Sequence, residues 1–301
     1  MNVSEYDIIF ISYDEPKADE LYDHLVKVSP RKPLRVLGVT GFDNALKAAA
    51  KLSTTSRFIT VDGDNMVRPE FFSSTIPDSS AYPADLVYSY NALNTVNGLI
   101  YGNGSVKVWP RELVLRLNTH ENAMGGGSDF CWTYRYYQVN QIASDVHYAQ
   151  SPFHAFRGGY REAVKLSLVK DKKLSTWQQT VEQMYQPNLQ RLMIWMTVGF
   201  DHENGLFSMY GARLGFHDLW LNNLDPNKIS SYSWFKENWS NLPEAQSIVE
   251  PMCRGVGNTL RSELGIDLPM FYEEASRWFK NVYFNVPRED GLMIPDMKAP
   301  E

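Results

Sequence analysis

Two hydrophobic patterns alternate along the first sixty residues. Tyr6-Asp7-Ile8-Ile9-Phe10-Ile11-Ser12 is a short apolar run of the kind that forms a buried strand, and Tyr13-Asp14-Glu15-Pro16 reads as the turn after it. Ala18, Leu21, Tyr22, Leu25 and Val28 then recur on one helical face, with Asp14 placed to cap that helix and Pro16 in its first turn. The pattern repeats. Leu34 to Val39 predicts a second strand, Thr40-Gly41-Phe42-Asp43 a capping box, and Asn44 to Lys51 an alanine-rich helix. Arg57 to Val61 predicts a third strand, so the expected sheet is mostly parallel and of Rossmann type, flanked by helices. Ligands of such sheets collect beyond the carboxyl ends of the strands, which here carry residues 12–15, 40–44 and 62–65.

Further on, 69–83 reads as irregular, Asp85 to Asn91 as a strand, and Leu99 to Trp109 as another strand interrupted by glycines. A short helix follows Pro110, with Leu113, Val114 and Leu117 as its apolar side. Beyond about residue 150 the period becomes helical, over 153–173, 177–196, 206–216, 243–264 and 269–282, with Trp195, Trp220 and Trp278 expected in the core. The expected organisation is therefore an α/β part over 1–150 and a helical part over 151–301 packed on it as one unit. Pro287 to Glu301 has no periodicity and reads as a strap or loose tail.

Composition narrows the function classes. The 301 residues carry a formal charge of -6, which argues against a generally basic nucleic-acid binder and leaves room for a local basic face. Only Cys131 and Cys253 occur, too few for a disulfide framework or a four-ligand zinc site. With no basic and apolar leader and no bilayer-long apolar run, the expectation is a cytoplasmic protein that does not span a membrane.

The third strand ends in Asp62-Gly63-Asp64, two carboxylates around one glycine. On extended backbone, carboxylates at i and i+2 face opposite ways, so holding one ion between them requires a turn, which Gly63 permits. Oxygen ligands suit Mg²⁺ or Mn²⁺, and such ions complete their shells with substrate phosphates. A bare D-x-D is also a common solvated turn; position after the third strand is what gives this one weight.

Three other stretches offer chemistry. Gly125-Gly126-Gly127-Ser128-Asp129 is a flexible loop that would bring Asp129 into a site, or cap the next element with it. Arg157, Arg161 and Lys165 fall at i, i+4 and i+8 of a helix, a cationic stripe suited to phosphates or simply a solvated face. His154, just before that helix, is a possible third metal ligand or an ordinary structural histidine. Asp201-His202-Glu203-Asn204 reads as a capped turn between helices, with Asp201 or Asn204 as the cap.

From Asp7 to Trp109 the chain resembles the GT-A glycosyltransferase fold, whose D-x-D hallmark matches Asp62-Gly63-Asp64. Tyr13 to Pro16, Tyr101-Gly102-Asn103-Gly104 and Phe153 to Lys165 resemble glycosyltransferases of tailed bacteriophages, some of which glycosylate hydroxymethylated pyrimidines in phage DNA. The resemblance implies a nucleotide-sugar donor, usually UDP-linked, with Mn²⁺ or Mg²⁺ bridging Asp62, Asp64 and the diphosphate and His154 as a further ligand. It also implies Ser12, Asp14, Asn44 and Lys47 at the base and ribose, Arg157, Arg161 and Lys165 at phosphates, and Asp129 as catalytic base if the reaction inverts. The expected acceptor is 5-hydroxymethylcytosine in DNA, flipped onto aromatic rings such as Trp132, Tyr134, Tyr136 and Tyr137. The segment from Arg157 to Lys173, with six cations against two carboxylates, suits that partner. The alternatives are a glycan or protein acceptor, a nucleotidyltransferase, and a non-catalytic glycan-binding or virion protein. No glycine-rich G-x-G-x-R start follows the first strand to support the nucleotidyltransferase.

Overall fold

A computed structural model describes residues 2–76, 83–102, 104, 106–123, 130–132, 134–283 and 291–293, with backbone alone at Trp132. It opens as the hydrophobic pattern predicts. Strand β1 (Asp7–Ser12), helix α1 (Ala18–Val28), β2 (Leu34–Leu37), α2 (Phe42–Leu52) and β3 (Arg57–Asp62) follow in turn, and β1 pairs in parallel with both β2 and β3. Both faces of these strands are apolar because both are covered. Ile8, Phe10, Ile59 and Val61 pack with Leu21 and Leu25 of α1, while Ile9, Ile11 and Phe58 pack with Ala45, Leu46, Ala49 and Ala50 of α2.

After β3 the expectation of a mostly parallel sheet fails. Strands β4 (Asn65–Val67), β5 (Val87–Asn94), β6 (Ile100–Tyr101) and β7 (Lys107–Pro110) follow one another with no α-helix between them among the described residues. Without crossover helices the chain reverses instead, and β7 runs antiparallel to both β3 and β5. Helix α3 (Arg111–Arg116) then leads toward β8 (Tyr136–Val146), which pairs in parallel with β5 and antiparallel with β4 and with β9 (Gly291–Met293). The sheet is mixed, in the order β2-β1-β3-β7-β5-β8-β4.

That order forces the sheet to curl. Three strands lie between β3 and β4 in the sheet, yet only Gly63 and Asp64 separate them in sequence. In a flat sheet β4 would stand about 19 Å from β3 at ~4.8 Å per strand, whereas three residue steps reach at most about 11 Å. The far edge must therefore bend back toward the Asp62 end of β3.

Two units divide the chain: Met1–Thr95, Leu99–His147 and Asn285–Glu301 form one, and Val96–Gly98 with Tyr148–Phe284 the other. The tail thus belongs with the strands, through β9, and not with the helices; apart from 291–293, the stretch from Pro287 to Glu301 lies outside the described residues.

The second unit comprises α4 (Pro152–Leu166), α5 (Trp177–Gln183), α6 (Gln186–Thr197), α7 (Gly205–Leu221), α8 (Tyr232–Trp239), α9 (Gln246–Leu264) and α10 (Glu273–Val282). The single helix expected over 177–196 is two, because Pro187 near the start of α6 cannot continue a helix from α5. Its centre is the contact of α4 with α7. A β-carbon at Gly211 would lie 2.0 Å from the Phe156 carbonyl oxygen, and one at Gly159 2.0 Å from that of Ser208, so glycine alone allows this approach. Trp195 is buried and Trp220 partly so, as expected, but Trp278 is 65% exposed. Among the described residues no helix is long and apolar enough to cross a membrane.

Candidate functional site

Three carboxylates meet where β1 and β3 end. Asp62 is the last residue of β3, Gly63 and Asp64 form the link, and Glu15 comes from the turn after β1, where its Oε2 accepts the Tyr13 N–H at 2.8 Å. Gly63 serves by its small size. Its backbone is not left-handed, but a β-carbon there would stand 2.7 Å from Glu15 Oε2 and 2.8 Å from the Ser12 β-carbon.

Asn65 anchors the other side of the link. Fully buried, it donates from Nδ2 to Asp64 Oδ1 and to the Gly104 carbonyl, each at 2.8 Å, and its Oδ1 accepts the Ser144 hydroxyl at 2.5 Å. The Asp64 carbonyl accepts the His147 N–H at 2.7 Å, so β8 grips the link from its far end. Gly104, left-handed at φ 57°, lies beside Asp62, with Oδ2 3.9 Å from where its β-carbon would be.

The electrostatics follow from this crowding. Burial, then the negative charges of Asp62 and Glu15, push the Asp64 carboxyl up to about 7, opposed by the Asn65 amide. A divalent cation would relieve that repulsion. Among the described residues no three His, Cys, Asp or Glu side chains form a ready-made metal cage. An ion held by one or two carboxylates and completed by substrate phosphates requires none, so the donor set here fits Mg²⁺ or Mn²⁺.

The other sequence-derived residues are placed as follows. Ser12, buried at the end of β1, accepts from Arg35 Nε and Nη2 at 3.3 and 3.2 Å, while Asp14 is exposed and does not cap α1, which starts after Lys17 with no side-chain cap. Thr40 likewise caps nothing at α2. The first-turn N–H of Asn44 is met by Glu121 Oε1 at 3.2 Å, and Gly41 sits at φ 89°, a backbone conformation that favours glycine. Asn44 Nδ2 donates to the Thr40 carbonyl at 3.1 Å, and Lys47 bonds Asp43 and Asn118, each at 2.7 Å.

His154, Arg157, Arg161 and Lys165 belong to the second unit, on α4. His154 Nδ1 lies 2.7 Å from the hydroxyl of Ser151, the helix cap. The Arg157 guanidinium sits over the rings of Tyr232 and Phe235 at 4.7 and 5.7 Å. Arg161 Nε donates to the Ile229 carbonyl at 3.0 Å, and Lys165 stands 3.7 Å from Glu162. The 201–204 turn precedes α7 as expected, but Asn204 donates to the Ala149 carbonyl instead of capping, and Asp201 pairs with Lys280 at 2.6 Å.

Asp129 with its glycine loop and the Trp132 side chain lie outside the described residues. The remaining aromatics of that segment are packed: Tyr134 bonds Asp85 at 2.6 Å, Tyr136 meets Phe130 and Tyr137 meets Tyr88. Sequence reasoning missed Glu15 and Asn65. The signal for Glu15 was its place at the carboxyl end of β1; for Asn65 it was an amide directly after the two acids.

No protein-family model matches this chain, and no curated protein matches it.

Proposed function

We propose that the protein is a divalent-metal-dependent glycosyltransferase that takes a sugar from a UDP-sugar and delivers it to an acceptor hydroxyl. The observation that carries this reading is the crowding of Asp62, Asp64 and Glu15 at the carboxyl ends of two parallel strands, with Asp64 held near 7. Asp62 and Asp64 would hold the metal, whose chemistry is to neutralise charge on the departing diphosphate. Asn65 keeps the Asp64 carboxylate oriented, Gly63 leaves room for Glu15, and Gly104 brings bare backbone alongside Asp62. If the reaction inverts, Asp129 takes the proton of the acceptor hydroxyl, a role worth about 10²–10⁴-fold.

The acceptor we propose is 5-hydroxymethylcytosine in DNA, on the strength of the phage-enzyme resemblance of the stretches around Tyr13, Tyr101 and Phe153. Incubation with Mn²⁺, a panel of UDP-sugars and hydroxymethylcytosine DNA, followed by digestion and mass spectrometry of the nucleosides, should show a sugar mass on the modified base. Asp62→Asn and Asp64→Asn should each abolish UDP-sugar cleavage while the far-ultraviolet dichroism stays unchanged. Undiminished cleavage in EDTA sinks the metal role, and transfer only to a glycan reassigns the acceptor and keeps the donor chemistry.

A further inference from the structure

The second unit contains a cleft of about 310 Å³ beside α9 and the segment 267–272. Arg254, Gly257, Asn258 and Arg261 line it from one face of α9, at i, i+3, i+4 and i+7. Arg213 of α7 also reaches it, and Asp267 is the only acidic side chain among its described lining residues.

Arg213 is unusual among these. It is 1% exposed, and its guanidinium donates to four backbone carbonyls: Met196 from Nε at 2.8 Å, Cys253 from Nη1 at 3.2 Å, and Leu268 and Pro269 from Nη2 at 3.2 and 3.1 Å. Every one of these acceptors is neutral. Among the described residues no carboxylate pairs with this buried cation, and burial pulls its pKa down. A guanidinium has five N–H donors, so one on Nη1 remains. Nη1 is also the atom that a side chain at Gly257 would strike, its β-carbon landing 2.5 Å away. Nη1 therefore packs against the bare α-carbon of Gly257, and both residues line the cleft.

The two outer arginines are held differently. Arg254 directs Nε and Nη2 to Glu250 at 3.2 and 2.7 Å and lies over the Tyr272 ring at 5.3 Å, which leaves its Nη1 donors for another partner. Arg261 meets Asp267 only at 3.7 Å, with both side chains about 70% exposed, a pairing worth little in water.

We propose that this cleft binds the phosphate group of a small molecule, with Arg213 as the buried anchor and Arg254 and Arg261 at the rim. Three guanidiniums stand against Asp267 and the Glu250 that pairs with Arg254, which leaves the site positive by one for a phosphate anion to balance, and arginine's forked donors match its oxygens. The site lies within the second unit and owes nothing to the glycosyl-transfer reading.

Calorimetric titration of inorganic phosphate into the full chain, with chloride matched for ionic strength and citrate as the carboxylate probe, tests the assignment. Saturable binding is expected, weakened about tenfold in Arg261→Ala by loss of one charge-assisted contact and tightened in Asp267→Asn. Both variants change exposed side chains, so their melting temperatures without phosphate should match the parent's. Gly257→Ala, whose methyl would displace the Arg213 guanidinium, should bind worst. Absence of saturable phosphate binding, affinity unaltered in Arg261→Ala and Gly257→Ala, or citrate binding as tightly as phosphate would each overturn it.

Discussion

Asp64 is the residue at which local structure and chemistry pull hardest against each other. Its carboxyl ionises near 7 in the folded chain and near 4 once unfolded. Below about pH 4 both states are protonated there and the crowding costs nothing; stability is lost as pH rises through about 7, where the folded-state carboxyl must ionise beside Asp62 and Glu15. Asp64→Asn should therefore melt above the parent at pH 8 and level with it at pH 4, in calorimetric scans across that range. Mn²⁺ should raise the parent's melting temperature at pH 8 and have little effect at pH 5.5. A parent that gains stability between pH 5 and 8, with no benefit from the substitution, would contradict the crowding. The two aspartates and their glycine were legible in the sequence because a strand pattern led directly into them. For Glu15 the sequence offers only its place in the turn at the carboxyl end of β1; that this turn folds over Gly63 is a tertiary fact.

At the scale of elements, the helices were easier to read than their ends, and the later strands were harder than the helices. The sequence does not announce β8 because it lacks clean alternation: Gln138 and Ser144 are buried polar residues, satisfied by Asn91 and Asn65 across the sheet. The break between α5 and α6 was written in Pro187, whereas the exposure of Trp278 depends on what α10 packs against, which its own pattern does not contain. The close contact of α4 and α7 separates two kinds of helical glycine. Gly211→Ala would drive a methyl into the Phe156 carbonyl and should cost several kcal/mol or prevent folding of the helical unit. Gly255 of α9 has open space around its β-carbon position, so Gly255→Ala should stabilise by about 0.5–1 kcal/mol. Denaturant midpoints of the two variants measure the difference, and equal behaviour would mean that the helices do not approach this closely.

For the whole molecule, the curled sheet joins parts of the chain that are made far apart. Ser144 of β8 bonds Asn65 of β4 across 79 positions, and deleting its hydroxyl leaves a buried acceptor unmet at about 1–3 kcal/mol. Pairings that close such long loops form late, whereas the β1–β3 core with its two helices is mostly local. Stopped-flow measurements on Ser144→Ala should show faster unfolding with refolding nearly unchanged; Ile59→Val, in the early core, should slow refolding. Refolding slowed as much by Ser144→Ala would place β8 in the nucleus. The link at Gly63-Asp64 then has a history as well as a geometry. During synthesis Asp62 and Asp64 emerge long before β8, so until His147 and Ser144 arrive the acids hang on a strand end with only one side of their mount in place. Cation affinity should consequently appear in a single late step, as β8 docks, and a nascent chain halted before residue 136 should have none.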